Sequence, residues 1–281
     1  MVYNRSLSLL VVLFSYILAI AQPDSLILPK KTSSVKSFIQ LYEYYIIGNK
    51  GWDGSNGFDG SSGTSGNTSD IGCNGSNGTS GTSGKNGESG NYFNVYVNYT
   101  FDSATASKKI FVRVKNKTNG EQVILKGETT NSFIVVSEGG SGGSGGNGGN
   151  GGNGGNGGNG TPLNLNNRKS NDVNKISSHS PGGEGGNGGN GGDGGNGGNG
   201  GNGGVIEIYY TSAARPFLKN IKAASTQGKA GKGGSGGKGG SRGLGGLGVT
   251  RGPDGNPGNP GTDGFEGNDG DPGTITFHEK N

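Results

Sequence analysis

The chain has 281 residues, 67 of them glycine, a formal net charge of +4 and only 27% of residues of hydrophobic type. So little apolar surface excludes a large aliphatic core. Scattered basic residues exclude a nucleic-acid partner, and a single cysteine, Cys73, excludes an intrachain disulfide framework.

At the start, Arg5 precedes an apolar stretch from Leu9 to Ile20, and Ala19-Ile20-Ala21 has the small-x-small form of a cleavage site. The stretch is short for a bilayer span of about 20 residues. Residues 1–21 therefore read as a signal peptide, the mature chain as starting at Gln22, and the product as secreted, with no membrane insertion after cleavage. Residues 22–47 form an N-terminal segment ending in a first strand, Ser37 to Ile47, rich in β-branched and aromatic residues.

From Gly48 to Gly90 every third position is glycine except Ser69, and from Gly228 to Gly273 every third position is glycine except Val249. Between them lie two Gly-Gly-X blocks, 139–160 and 182–204, in which X is mostly asparagine. A flexible linker has no reason to hold a period of three. Asn67-Thr68-Ser69-Asp70-Ile71 and the segment from Leu247 to Arg251 break the phase as turns do. Six runs result: 48–66, 72–90, 139–160, 182–204, 228–246 and 252–273. Three residues per turn at a rise of about 3.1 Å makes each run about 60–70 Å long, with one side-chain-free ridge per turn against which another backbone can lie.

Strand signals fill the intervals: Tyr92 to Phe101, Lys109 to Lys115, Gln122 to Lys126, Ser132 to Ser137, Val205 to Tyr210 and Thr274 to His278. The organisation in chain order is a Gly-X-Y hairpin (48–90), a β-sheet segment (91–138), a Gly-Gly-Asn hairpin (139–204) with a long tip loop (161–181), a β segment (205–227), a second Gly-X-Y hairpin (228–273), and a final strand and tail (274–281). The fold class is all-β plus polyglycine II: a small β-sheet domain at one end, with a bundle of about six antiparallel polyglycine II helices. Run 228–246 carries Lys229, Lys232, Lys238 and Arg242, and run 252–273 carries Asp254, Asp263, Glu266, Asp269 and Asp271, so adjacent placement pairs opposite charges. Such exposed pairs set register more than stability.

No catalytic constellation is present. His179 and His278 lie in no metal-ligand spacing, and the repeated GxGxxG pattern is compositional. Asp263, Glu266, Asp269 and Asp271 offer at most weak calcium ligation, without the spacing of a calcium loop. The X-position asparagines, from Asn147, Asn150, Asn153 and Asn156 onward, have two readings: a polar ladder facing a repeating ligand, or simply small soluble residues at exposed positions. Asn67, Asn74, Asn77, Asn98, Asn116 and Asn159 fit the N-x-Ser/Thr acceptor rule. The tip loop, bracketed by Pro162 and Pro181, supplies the candidate binding residues Arg168, Lys169, Asp172, Lys175 and His179.

The Gly-Gly-Asn blocks and Gly-X-Y runs resemble the polyglycine II bundles of springtail glycine-rich antifreeze proteins and of phage tail-fibre-tip adhesins. The stretch from Gly252-Pro253-Asp254 to Pro272-Gly273 is similar to bacterial collagen-like repeats. The resemblance covers the six runs and implies a fold more than a function; the disulfides of the antifreeze proteins are missing. Three functions follow as expectations. The first is a non-enzymatic structural protein of an extracellular matrix, coat or surface layer, partnering itself or other matrix components. The second is an adhesin or carbohydrate-binding protein whose tip loops meet a glycan or surface protein. Ice binding ranks third, because a regular threonine face is missing.

Overall fold

The computed structural model describes residues 42–104, 106–161 and 179–280. The signal-peptide reading, residues 37–41 of the first strand, and Arg168, Lys169, Asp172 and Lys175 lie outside the described residues. Among the described residues the regular structure is mostly β with very little helix.

Among the described residues, eight strands form two sheets: β1 (Glu43–Ile47), β2 (Tyr92–Asp102), β3 (Ser107–Asn116), β4 (Gln122–Glu128), β5 (Phe133–Glu138), β6 (Val205–Thr211), β7 (Ile221–Ala224) and β8 (Thr274–Lys280). One sheet has the order β1-β5-β7 and is wholly parallel; the other has the order β4-β3-β2-β6-β8, with β2, β6 and β8 parallel and β3 and β4 antiparallel. Period-two alternation sends Phe93, Val95, Val97, Ile110, Val112, Val114, Ile206 and Ile208 inward from the larger sheet, against Tyr44, Phe133, Val135 and Ile221 of the smaller. Two edge-to-face pairs, Tyr44–Phe93 at 5.2 Å and Tyr42–Phe133 at 5.4 Å, are part of this core.

The strand expected at Val205 to Tyr210 within the β segment 205–227 corresponds to β6, and the rest of that segment holds two further elements. A 3₁₀ helix, Ser212–Asn220, separates β6 from β7. Pro216 removes a backbone donor inside it, and Ile221-Lys222-Ala223-Ala224 is too short and alanine-rich to read as a strand alone.

The six glycine-rich runs carry neither strand nor helix assignment and are nevertheless hydrogen-bonded throughout. Runs 1, 3 and 5 (48–66, 139–160, 228–246) extend β1, β5 and β7 and keep the lateral order of that sheet. Runs 2, 4 and 6 (72–90, 182–204, 252–273) lead into β2, β6 and β8 and keep theirs. The sandwich thus continues as a two-layer slab, parallel within each layer and antiparallel between layers. Gly51 donates to Ser141 and Gly54 to Ser144 within a layer, whereas Gly140 donates to Glu88 and Gly143 to Lys85 across layers. At the junction the side-chain period changes from two to three while the neighbours stay the same.

Neighbour number explains triplet type. Runs 3 and 4 each bond to four other runs. In run 3, Gly148 donates to Ser235 of run 5 and Gly149 to Thr79 of run 2, while Asn150 donates to the Asp59 carboxylate of run 1. Only the asparagine ridge faces solvent, so two glycines per triplet are required. Runs 1 and 6 have two bonded neighbours each and need one glycine per triplet.

Proline follows the same rule. Within the runs it occurs only in run 6, as Pro253, Pro257, Pro260 and Pro272. Pro257, Pro260 and Pro272 fall on the outer ridge shared with Asp254, Asp263 and Asp269, where no further run demands an N–H.

Candidate functional site

Chemistry-bearing side chains lie on the slab's two faces and its edges, and each kind is placed by the triplet phase. On the faces, every X-position asparagine followed by glycine clamps one residue of the next run in its layer. Asn147 Oδ1 accepts the Ser235 N–H at 2.9 Å while the N–H of Gly148 donates to the Ser235 carbonyl at 2.8 Å. Asn190 and Gly191 hold Asn259 in the same way, at 2.8 and 2.9 Å.

The clamps join into rows. Asn56–Asn147–Ser235 crosses one face, and Asn74–Asn187–Asn256 and Asn86–Asn199–Asn268 cross the other. The asparagine ladder is exposed, and beyond either expectation its amide oxygens do structural work. Each amide oxygen satisfies a backbone donor that glycine ridges cannot reach. Periodicity alone missed this, although a signal existed: Asn-Gly at X positions occurs in runs 1 to 4 and in neither run of the far edge, 5 nor 6.

The edges are closed by other oxygens. Along runs 1 and 2, Thr82 Oγ1, Thr79 Oγ1 and Ser76 Oγ accept the N–H groups of Ser55, Phe58 and Ser61 at 2.7–2.8 Å. Trp52 and Phe58 stand 74% and 81% exposed on this edge. Along runs 5 and 6, Asp254, Asp263 and Asp269 accept from Gly245, Gly236 and Ala230. Lys229 pairs with Asp269 at 2.7 Å and Arg242 with Asp254 at 3.3 Å, so the basic and acidic runs are neighbours. Lys229, Lys232 and Lys238 share the phase of Ser235, whose N–H meets the Asn147 amide on the open face of run 5, and Lys229 reaches Asp269 from that ridge.

Two of the four carboxylates read as weak calcium ligands, Asp263 and Asp269, are thus committed to run 5. No group of three or more His, Cys, Asp or Glu side chains that would hold a metal occurs among the described residues.

Four aspartates are held below the usual carboxylate range. Lys50, and then the N–H of Ser144, lower Asp53; the N–H of Thr262 lowers Asp193; the N–H of Gly245 lowers Asp254; and Lys229 lowers Asp269. Because the folded values are depressed, this stabilisation is present above the ordinary carboxylate value and is lost as pH falls through the folded ones. The melting temperature is expected to stay nearly constant from about pH 7 to about pH 5 and to fall below about pH 4. Calorimetry across that range checks it, and a midpoint still unchanged at about pH 3 refutes the role given to these carboxylates.

The outer face of the larger sheet carries a second organised group. Arg113, Tyr96, Tyr209 and His278 form one cross-strand row. Tyr96 stacks on Tyr209 at 5.3 Å and Tyr209 on His278 at 5.0 Å; Arg113 lies over Tyr96 at 4.6 Å and Lys280 over Tyr209 at 4.7 Å. Tyr209 donates to Glu207, whose carboxyl is lowered by hydrogen bonds from Tyr92 and Tyr209. The rings face one another and the cations, and the row fastens β8, all of whose residues are exposed.

Of the tip candidates, His179 is exposed and precedes Ser180, which bonds to Thr161 across the loop base. Of the glycosylation acceptors, Asn116 is wholly buried, whereas Asn98 is exposed.

The collagen triple helix repeat model matches residues 46–92, the first pair of runs with their flanks. No curated protein and no solved structure shows significant similarity to the chain. The chain therefore contains a collagen-like, glycine-rich Gly-X-Y repeat, and such repeats are typically structural, non-enzymatic and commonly extracellular or at surfaces. Within 46–92, the glycines of runs 1 and 2 donate to runs 3 and 4 of the same chain.

Proposed function

We propose that this is a secreted, non-enzymatic structural protein of an extracellular matrix, coat or surface layer, built as a polyglycine II slab on a β-sandwich head. One observation carries the reading: the run backbones are spent on one another in three directions, with asparagine, serine, threonine and aspartate oxygens closing what glycine leaves open. A chain organised in this way invests its repeats in stiffness. The apolar stretch from Leu9 to Ile20 and the Ala19-Ile20-Ala21 site support export.

Amide hydrogen exchange on the chain from Gln22 onward tests the slab. Slow exchange at Gly149, Gly152, Gly189 and Gly192 is expected, and exchange at denatured-peptide rates there would remove the scaffold. Sedimentation at rising concentration tests the matrix role: assembly is expected, and a monomer at high concentration would count against it.

A second reading, adhesion through the tip, is favoured by the exposed apolar side chains of Ile71, Leu247 and Val249 at the turn end, where loop 161–181 also emerges. Deleting 163–178, which spares Ser180 at the loop base, is then expected to abolish binding to a glycan or surface protein while leaving the melt unchanged.

A further inference from the structure

Fifteen Asn-Gly dipeptides occur in the chain, and this dipeptide is intrinsically self-modifying. The glycine nitrogen attacks the asparagine Cγ, a C–N bond forms, and the side-chain nitrogen leaves as ammonia. Water then opens the resulting succinimide to aspartate or to isoaspartate, the latter carrying an extra methylene in the main chain. Glycine at the second position permits the reaction because no side chain hinders the approach. The attack requires the glycine nitrogen to turn toward its neighbour's carboxamide, so whatever holds both groups elsewhere suppresses it.

The face clamps hold both. In fourteen of the fifteen dipeptides the asparagine Oδ1 accepts from a residue on the adjacent run, and the following glycine N–H donates to the carbonyl of that same residue. Asn56 and Gly57 hold Asn147 at 2.8 and 2.7 Å, and Asn199 and Gly200 hold Asn268 at 2.9 and 2.8 Å. Each clamp is one rung of a long run, and releasing it requires two runs to separate.

Asn119-Gly120 is the exception. It lies in the exposed turn between β3 and β4; Asn119 Oδ1 accepts from Glu121 at 2.9 Å and Gly120 donates to Asn116 at 2.9 Å. Gly120 has φ +78°, a left-handed conformation that glycine alone adopts freely. One partner, Glu121, lies in the turn and the other, Asn116, ends β3 at its base, so local opening of the turn frees the nucleophile and the carboxamide together without separating two strands or two runs.

We infer that Asn119 is the site of spontaneous deamidation in the folded protein, and that the slab silences the other fourteen until it unfolds. Conversion at 119 adds one negative charge beside Glu121 at the junction end of the sheet, where the same turn meets Tyr92 at the start of β2 through Lys117. Conversion in an unfolded run is different in kind, because isoaspartate lengthens the main chain and shifts every later glycine out of phase. Unfolding therefore starts an irreversible loss of the repeat. The inference rests on hydrogen-bond geometry and stands whether the protein serves a matrix or an adhesive role.

The test is peptide mapping by mass spectrometry after incubating the purified mature protein in mildly alkaline buffer, natively and in guanidinium, with digestion at acid pH. The native protein is expected to accumulate the acid form at Asn119 while the run asparagines convert at least about tenfold more slowly; in guanidinium all fifteen are expected to convert at comparable rates. An Asn119→Gln variant should then stay unmodified in its native state over the same interval. Run asparagines converting natively as fast as in guanidinium, or Asn119 converting no faster than they do, would overturn the inference.

Discussion

Gly192→Ala is expected to cost more than about 3 kcal/mol and to lower the melting midpoint by about 10 °C. Gly192 sits in run 4, donates to the Gly149 carbonyl at 2.8 Å, and is crossed on its other side by run 2. A Cβ there would overlap the Thr79 carbonyl and approach the Ser80 nitrogen at 2.8 Å. Extra methyl groups in ordinary cores are partly absorbed by rotating side chains, at a cost of about 1–3 kcal/mol. Here the obstructing atoms are main chain, and moving them breaks the bonds of two further runs. Asn268→Ala, two triplets farther along on the exposed ridge of run 6, supplies the control and should shift the midpoint by less than about 2 °C. Thermal melts of the two variants decide the matter; equal, small shifts would mean that the ridges have room to spare.

The period of three, the turns at 67–71 and 247–251, and the alternation in Tyr92-Phe93-Asn94-Val95-Tyr96-Val97 are local patterns, and local patterns can be read without a partner. The opposed charges of runs 5 and 6 are legible for the same reason, since Lys229 and Asp269 belong to consecutive runs of one hairpin. Lateral order was harder to see. A clamp such as Asn147 on Ser235 joins residues 88 apart, and Asn74 on Asn187 joins residues 113 apart, so nothing near either end announces the pairing.

Once the neighbours are known, the code is simple. Two glycines in every triplet mark a run with four bonded neighbours, run 5 with three mixes both triplet types, Asn-Gly marks a run with another beyond it, and proline marks the outside. The division of the strands into two sheets follows from this order, because each sheet is the continuation of one layer. The collagen-like appearance of 252–273 has the same origin: proline is admitted where backbone donors are no longer needed.

Phe93→Ala is expected to remove about 3–5 kcal/mol and to melt the slab together with the head, although the substitution touches no glycine run. Phe93 is fully buried, packs edge-to-face on Tyr44, and is registered against Ile206 and Asn116, so truncation leaves a cavity between the two sheets. Ordering a residue costs about 1–2 kcal/mol, with glycine at the costly end, while a net hydrogen bond returns about 0.5–1.5 kcal/mol. A pair of glycine runs therefore gains no clear advantage from its own bonds, and the slab depends on starting from strands already held in lateral order by apolar burial. β1, β5 and β7 fix that order for one layer, and β2, β6 and β8 fix it for the other. Near-ultraviolet circular dichroism reports the head's tyrosines and hydrogen exchange reports the run amides. In the Phe93→Ala protein both transitions should move down together, because a slab whose first rungs are released has nothing else to set its register. Amides of runs 3 and 4 that stayed protected after the tyrosine signal had collapsed would show instead that the slab supports itself, and the head would then be an attachment to it rather than its foundation.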